Sequence, residues 1–302
     1  MCGGGCFGSC CFVVYLGLNF FWFLYWLLGC EGAMYRGYKV VVVVPAGRRR
    51  YLELQLVHVL RCRGFVDEYR YWVNTCVSED IDYMRSVGLL YEGFVSLDWA
   101  GLGGSGMGNI FRFFPGCVDS GTIYVRLDDD VVWFEEGALE RLLDFRIDYS
   151  RFFLVYGNVV NNAVCDHLHQ RLGVYDLPVP QIDYACVGAG SNDPALAVIK
   201  HSVFLRNLRV GNLDLYRFRL WVLCYFERVS VNCICWFGSE FAVFGGVVGG
   251  DEEQWLACDK PRDLARFNCI CGSALFSHFA FHTQREVVDK TSLLERYRSL
   301  VF

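Results

Sequence analysis

Five consecutive valines, Val40–Val44, restrict this chain more than any other stretch. Successive strand side chains point to opposite faces, so an unbroken β-branched run leaves neither face wet. Such a strand needs covering layers on both sides, which points to an α/β fold with a mostly parallel sheet flanked by helices. The run ends at Pro45-Ala46-Gly47 and the basic cluster Arg48-Arg49-Arg50. A helix is predicted next, because Leu52, Leu56, Val59 and Leu60 recur at one-face spacing. Strand, glycine turn, arginines and helix together present backbone N–H groups and guanidinium groups to an anion. Pro45, Ala46, Gly47, Arg48 and Arg49 are therefore candidates for holding a diphosphate. The turn is neither a P-loop nor a dinucleotide fingerprint, since both glycine patterns are missing.

The second informative stretch is Thr122–Glu136, TIYVRLDDDVVWFEE. Ile123, Val125 and Leu127 alternate with Thr122, Tyr124 and Arg126, the period of a strand. The strand stops in Asp128, Asp129 and Asp130, and a short apolar run then tips into a helix. Three adjacent carboxylates repel one another and call for a compensating cation. A hard divalent ion with oxygen ligands is the natural one. Ligand sites of α/β sheets lie at the carboxyl ends of strands, where this triplet sits. A solvated acidic turn is the alternative.

Alternating strands and helices continue through Tyr69–Thr75, Ser78–Val87, a helix carrying Leu139, Leu142, Leu143 and Ile147, and a strand at Phe152–Tyr156. Gly101–Gly108 reads as a flexible connector and Asn109–Phe114 as a helix. Gly173–Arg209, with Pro178, Pro180 and Pro194, reads as loops, whereas Val229–Trp236 and Phe241–Phe244 read as strands. Gly245–Gly250 leads into Asp251-Glu252-Glu253, a capped helix start. The pairs Cys233/Cys235 and Cys269/Cys271 lie in apolar runs without zinc-type spacing and are expected to be buried thiols.

Two domains are expected, an apolar N-terminal segment at 1–35 and a folded domain at 36–302. Residues 1–30 carry no charged side chain. Cys11–Cys30 is apolar and, at about 20 residues, long enough to span a bilayer. It reads as a single-pass membrane anchor or as an extension outside the folded domain. The corresponding locations are membrane-associated (Golgi, endoplasmic reticulum or virus-infected host cell) and cytoplasmic. A net charge of −5 offers no footprint for nucleic acid.

An acidic cluster at a strand end, a basic turn and a second acidic group after a glycine loop are the parts needed to transfer a group from a diphosphate-activated donor. The blocks VVPAGRRRYLELQL, WVNT, YVRLDDDVVW, YGNVVNNA, ERVSVNCICWFG, DEEQWLA and HFAFHTQR resemble a glycosyltransferase family of fungi and large DNA viruses that includes a chlorella-virus xylosyltransferase. The resemblance covers about Lys39 to Tyr297 and implies a GT-A (Rossmann-like) fold with a D-x-D motif. It implies an enzyme that moves a sugar from a nucleotide-diphosphate sugar, a UDP-sugar, to a glycan or glycoprotein acceptor. Asp128, Asp130 and His278 would hold Mn²⁺ or Mg²⁺, with His282 as the fallback ligand. Asp128, Asp129, Arg126, Asn74 and the Pro45–Arg49 turn would face the nucleotide sugar, with Asp129 orienting a neighbour such as Arg126. Glu252 or Asp251 would be the general base, which implies inversion. A sugar-phosphate nucleotidyltransferase and a non-catalytic carbohydrate-binding module are the rivals. The absence of a lysine from PAGRRR counts against the former, and the intact triplet against the latter.

Overall fold

The computed structural model describes residues 34–301 apart from 102, 176–179 and 185–187, and these belong to one compact unit beginning at Met34. The apolar stretch 11–30 lies outside the described residues. Among the described residues, no helix is long and apolar enough to cross a membrane.

Nine strands form one sheet in the order β3-β2-β1-β4-β8-β6-β9-β5, with β7 also paired to β9. They are β1 (Lys39–Ala46), β2 (Glu68–Val73), β3 (Val95–Asp98), β4 (Thr122–Leu127), β5 (Val131–Phe134), β6 (Val155–Val160), β7 (Trp221–Leu223), β8 (Cys233–Phe237) and β9 (Asn268–His278). The β3-β2-β1-β4 half is all parallel, as is the β6–β9 pair. β8 runs antiparallel to both β4 and β6, so the sheet is mixed. Reversing twice through β8 leaves β6 and β9 parallel to β4. The carboxyl ends of β1, β2, β4, β6 and β9 therefore share one edge, and the amino end of β8 joins them.

All five valines of β1 are fully buried, at about 1.5–2 kcal/mol per side chain. Val40, Val42 and Val44 pack with Leu52, Leu56 and Val59 of α1 (Arg49–Arg61), Met84 and Val87 of α2 (Ser78–Leu90) and Leu139, Leu142 and Leu143 of α3 (Ala138–Asp148). Val41 and Val43 face the other way, into an aromatic layer with Trp72, Phe113, Tyr124, Trp236 and Phe241. The two covering layers that the valine run requires are both present.

Several boundaries depart from the sequence reading. Gly173–Arg209 is not all loop, because Pro194–Arg209 is a sixteen-residue helix, α4. Asp193 caps it by accepting the Ala195 and Leu196 N–H groups, and Pro194 takes the first turn, where its missing N–H costs nothing. Phe241–Phe244 is not a strand, since Gly238–Ala242 is helical. Gly238 allows the turn: a Cβ there would lie 2.2 Å from the Asp119 carbonyl oxygen. Phe241 then stacks on Trp236 and Phe153. The Phe152–Tyr156 strand starts three residues later, at Val155, and Val131–Phe134 is a strand in its own right. Cys233, Cys235, Cys269 and Cys271 are buried free thiols, as their apolar runs imply.

His58 and His201 are buried, and burial lowers both imidazoles from 6.5 to about 4. Both are neutral when folded but take up a proton on unfolding below pH 6.5, so their stabilising effect is present above 6.5 and lost as pH falls toward 4. Each unit of that gap corresponds to about 1.4 kcal/mol. Urea unfolding between pH 7 and 4 is expected to show this decline, and His58→Phe should flatten it. An unchanged slope in the variant would remove His58 from the account.

Candidate functional site

A cleft of about 690 Å³ opens on the shared strand edge, a volume suited to a nucleotide-sized ligand. Its walls include Pro45, Gly47 and Arg48 after β1, Asn74 after β2, the three aspartates after β4, Asp251–Glu253, and His278 and Arg285. It lies between β1 and β4, where the strand order reverses direction.

Each aspartate of the triplet has its own partners. Asp128 accepts from Arg126 Nη2 at 2.8 Å and from Asn232 Nδ2 at 2.9 Å. Asp129 does not orient Arg126, contrary to the expectation. It turns toward the first strand, where Arg48 engages both its carboxylate oxygens and the Gly47 N–H donates to it at 3.1 Å. Burial raises the Asp129 pKa and the Arg48 guanidinium opposes that rise. Asp130 places Oδ2 3.2 Å from both Arg48 Nη2 and Arg285 Nη2, and Oδ1 3.1 Å from His278 Nε2. Burial acts to raise its pKa, but His278 and the two arginines hold it well below the usual carboxylate range. Gln55 of α1 fixes the turn itself by donating to the Asp128 and Val131 carbonyls.

The basic turn is only partly a ligand wall. The Gly47 N–H is directed at Asp129 rather than at the cleft, and Ala46 is buried in β1. Arg49 faces away, paired with Glu53 at 2.7 Å and lying over the Tyr83 ring, while Arg50 pairs with Asp289. Arg48 alone of the three arginines lines the cleft. Asn74 lines it too, with its amide donating to the Gly106 carbonyl and accepting from Asn109.

In the second acidic group, Glu252 and Asp251 separate clearly. Asp251 caps the helix start, accepting the Gln254 N–H at 3.1 Å, and forms an exposed ion pair with Arg228. Those bonds engage Asp251 as a helix cap. Glu252 is buried, and its Oε1 sits 3.0 Å from Arg126 Nη1. Its Oε2 has no hydrogen-bond partner. Burial pushes the Glu252 pKa up to about 7, against the lowering effect of Arg126. The fully buried Arg126 thus bridges Asp128 and Glu252.

Asp128, Asp130 and His278 offer ligand atoms within 4.8 Å of one another. Asp130 Oδ1 is buried without a hydrogen bond, and His278 Nε2 faces it. The other ring nitrogen, Nδ1, is 3.3 Å from the Asn161 carbonyl oxygen, which can only accept. Nδ1 therefore carries a hydrogen, and Nε2, now 3.1 Å from Asp130 Oδ1, is the ring atom that would turn to a cation held between them. Two carboxylates and an imidazole suit Mn²⁺ or Mg²⁺. His282 lines the cleft but is not in this group.

No family model matches the chain, and no curated protein matches it. The resemblance to the fungal and viral glycosyltransferases rests on its sequence blocks alone. Among solved structures, the chain is similar to glucosyl-3-phosphoglycerate synthase from Mycobacterium tuberculosis in complex with Mn²⁺, UDP and phosphoglyceric acid, with TM-score 0.47 and 14% identity over 87% of this chain and 79% of that one. It is also similar to 4-diphosphocytidyl-2C-methyl-D-erythritol synthase from Anaerococcus prevotii, with TM-score 0.45 and 10% identity over 87% and 99%. Mannosyl-3-phosphoglycerate synthase from Rubrobacter xylanophilus matches over 41% of each chain, with TM-score 0.31 and 19% identity. Likenesses this distant assign no chemistry to the chain, which has to come from the side chains themselves.

Arg285, Asn232 and the Arg126–Glu252 link were not identified from sequence. Arg285 lies within the HFAFHTQR block, but no spacing rule marks an arginine seven residues after a histidine. Asp129 joins two turns where Asp128 is the more exposed, at 4% against 21% of the side chain. Removing one partner of a buried pair costs about 3–5 kcal/mol, and less here because Arg48 is one-quarter exposed. Asp129→Ala is expected to destabilise the fold by about 2–3 kcal/mol in urea unfolding, well beyond Asp128→Ala. Equal losses would contradict the structural role given to Asp129.

Proposed function

We propose that the protein is a metal-dependent glycosyltransferase that moves a sugar from a nucleotide-diphosphate sugar, a UDP-sugar, to a hydroxyl of a glycan acceptor with inversion. The observation that carries this reading is the Arg126 bridge. One buried guanidinium holds a candidate base, Glu252, and a candidate metal ligand, Asp128, side by side in one cleft.

Asp128, Asp130 and His278 would hold Mn²⁺ or Mg²⁺, which supplies Lewis-acid neutralisation of a diphosphate leaving group. Beside them, Arg48 and Arg285 present guanidinium groups to the same part of the cleft and favour the negative charge that develops there. Glu252 Oε2, lacking a partner, accepts the proton of the acceptor hydroxyl as that oxygen attacks the anomeric carbon. The new C–O bond forms as the bond to the diphosphate breaks on the opposite side. A carboxylate base separate from the metal ligands fits a single displacement step, hence inversion. The sequence blocks shared with the fungal and large-DNA-virus family support UDP as the nucleotide. The acidic groups of the cleft and its volume fit a polar sugar donor rather than nucleic acid.

A base with a pKa near 7 predicts a pH profile whose acid limb falls as pH drops through 7, because only the ionised carboxylate accepts a proton. Glu252→Gln should lower kcat by about 10²–10⁴-fold and abolish that limb. The test is incubation of the full chain with UDP- and GDP-sugars, Mn²⁺ and candidate acceptors, following nucleoside diphosphate release and the product anomer by NMR. UDP release that disappears in Asp130→Ala is expected. Retention of the anomeric configuration would remove Glu252 from the role. Synthesis of a nucleotide sugar from a sugar phosphate and a nucleoside triphosphate would overturn the reading, as would sugar binding without turnover.

A further inference from the structure

Two consecutive asparagines at the end of β6 touch the supports of both sides of the acidic cluster. Asn161 adopts φ of +63°, the left-handed region that asparagine tolerates better than most residues. In that conformation its carbonyl oxygen lies 3.3 Å from His278 Nδ1. The Asn162 side chain donates through Nδ2 to Asn232 Oδ1 at 2.9 Å and to the Ser230 carbonyl at 3.1 Å. Asn232 in turn donates to Asp128 Oδ2 at 2.9 Å and accepts the Asp128 N–H at 2.9 Å. His278 comes from β9 and Asp128 from β4, on opposite sides of β6 in the sheet. Both are thereby referred to one dipeptide.

The dipeptide is itself anchored from below. Lys200 of α4 is fully buried, and its three ammonium donors meet three acceptors: Asn161 Oδ1 at 2.8 Å, Asp166 Oδ2 at 2.7 Å and the Gly190 carbonyl at 2.6 Å. Asp166 Oδ1 accepts the Asn161 N–H at 3.1 Å. Asn161 Nδ2 donates to Gln284 Oε1 and to the Phe279 carbonyl, one residue beyond His278. Every polar group of Asn161 is therefore engaged, and its carbonyl direction is fixed.

We infer that Asn161 and Asn162 are positioning residues that set the divalent-cation affinity of the Asp128–Asp130–His278 site. Asn161 fixes the tautomer and ring orientation of His278, and Asn162, through Asn232, fixes the Asp128 carboxylate. This rests on the metal site within the proposed function but not on sugar transfer. Groups that orient metal ligands in this way change affinity by about 10–100-fold when removed.

The test is Mn²⁺ binding to the full chain, followed by electron paramagnetic resonance without donor or acceptor, with thermal unfolding as the folding control. Asn162→Ser keeps a residue able to cap the helix Ala163–Arg171 but is too short to reach Asn232. It should weaken Mn²⁺ binding by about 10–100-fold. Asn232→Ala should do the same, and the double variant should lose no more than either single one, because both cut the same link. Asn161→Gly permits the left-handed backbone yet drops the anchors to Lys200, Gln284 and Phe279, and it should also bind Mn²⁺ more weakly. If Asn162→Ser does not fold, Asn232→Ala at the other end of the link decides. Wild-type affinity in folded variants, or additive losses in the double variant, would overturn the inference while leaving the metal site in place. Absence of Mn²⁺ binding to the unsubstituted chain would overturn both.

Discussion

Three successive carboxylates can share a solvent-poor strand end only if each has its own counter-charge, and the rest of the site follows from how that is met. Asp128 turns to Arg126 within its own strand, Asp129 to Arg48 after the first strand, and Asp130 to His278 and Arg285 from the last part of the chain. Each pairing comes from a different element, so folding the acids together also gathers the basic groups. Asp129 is the least reactive member and structurally the most committed. It ties the turn after β1 to the turn after β4 and so fixes the two lips of the cleft relative to each other.

Arg126 extends the same balance to Glu252. An isolated carboxyl as buried as Glu252 would be held neutral, whereas a guanidinium alone would hold it ionised. The two effects leave its pKa at about 7, in the range where a carboxylate can both accept a proton and release it. Asp251, next to it, is exposed and engaged by a helix N–H and by Arg228. Adjacent acids in one sequence therefore part company through burial alone.

Much of this was legible in the sequence, and the failures share a cause. The valine run, the strand ending in aspartates and the acidic helix start each carry a local signal, and each stands at the shared edge in the structure. His278 was placed by resemblance rather than by spacing. Arg49 points away from the cleft, and three arginines in a row look alike until the helix begins and turns successive side chains by about 100°. The resemblance implies that Arg126 faces the nucleotide and that Asp129 orients it, and strand alternation adds the expectation of one apolar and one polar face. Here both faces of β4 are buried, and a charged residue on either must find a charged partner inside. Pro194 carries a loop signal in the sequence, but a proline after an aspartate also opens a helix.

The expected mostly parallel sheet would not by itself build this site. β8 runs antiparallel between β4 and β6, so it presents its amino end at the edge where its neighbours present carboxyl ends. Asn232, just before β8, is thereby placed beside Asp128 and within reach of Asn162. The carboxyl end of β8 lies at the opposite edge, which obliges the chain to return across one face of the sheet. It does so through the helix Gly238–Ala242 and the glycine-rich turn, packing Phe241 into the aromatic layer on the way. The returning segment reaches the cleft at Gly250–Glu253. One strand reversal thus supplies both the amide that steadies Asp128 and the carboxylate that faces it.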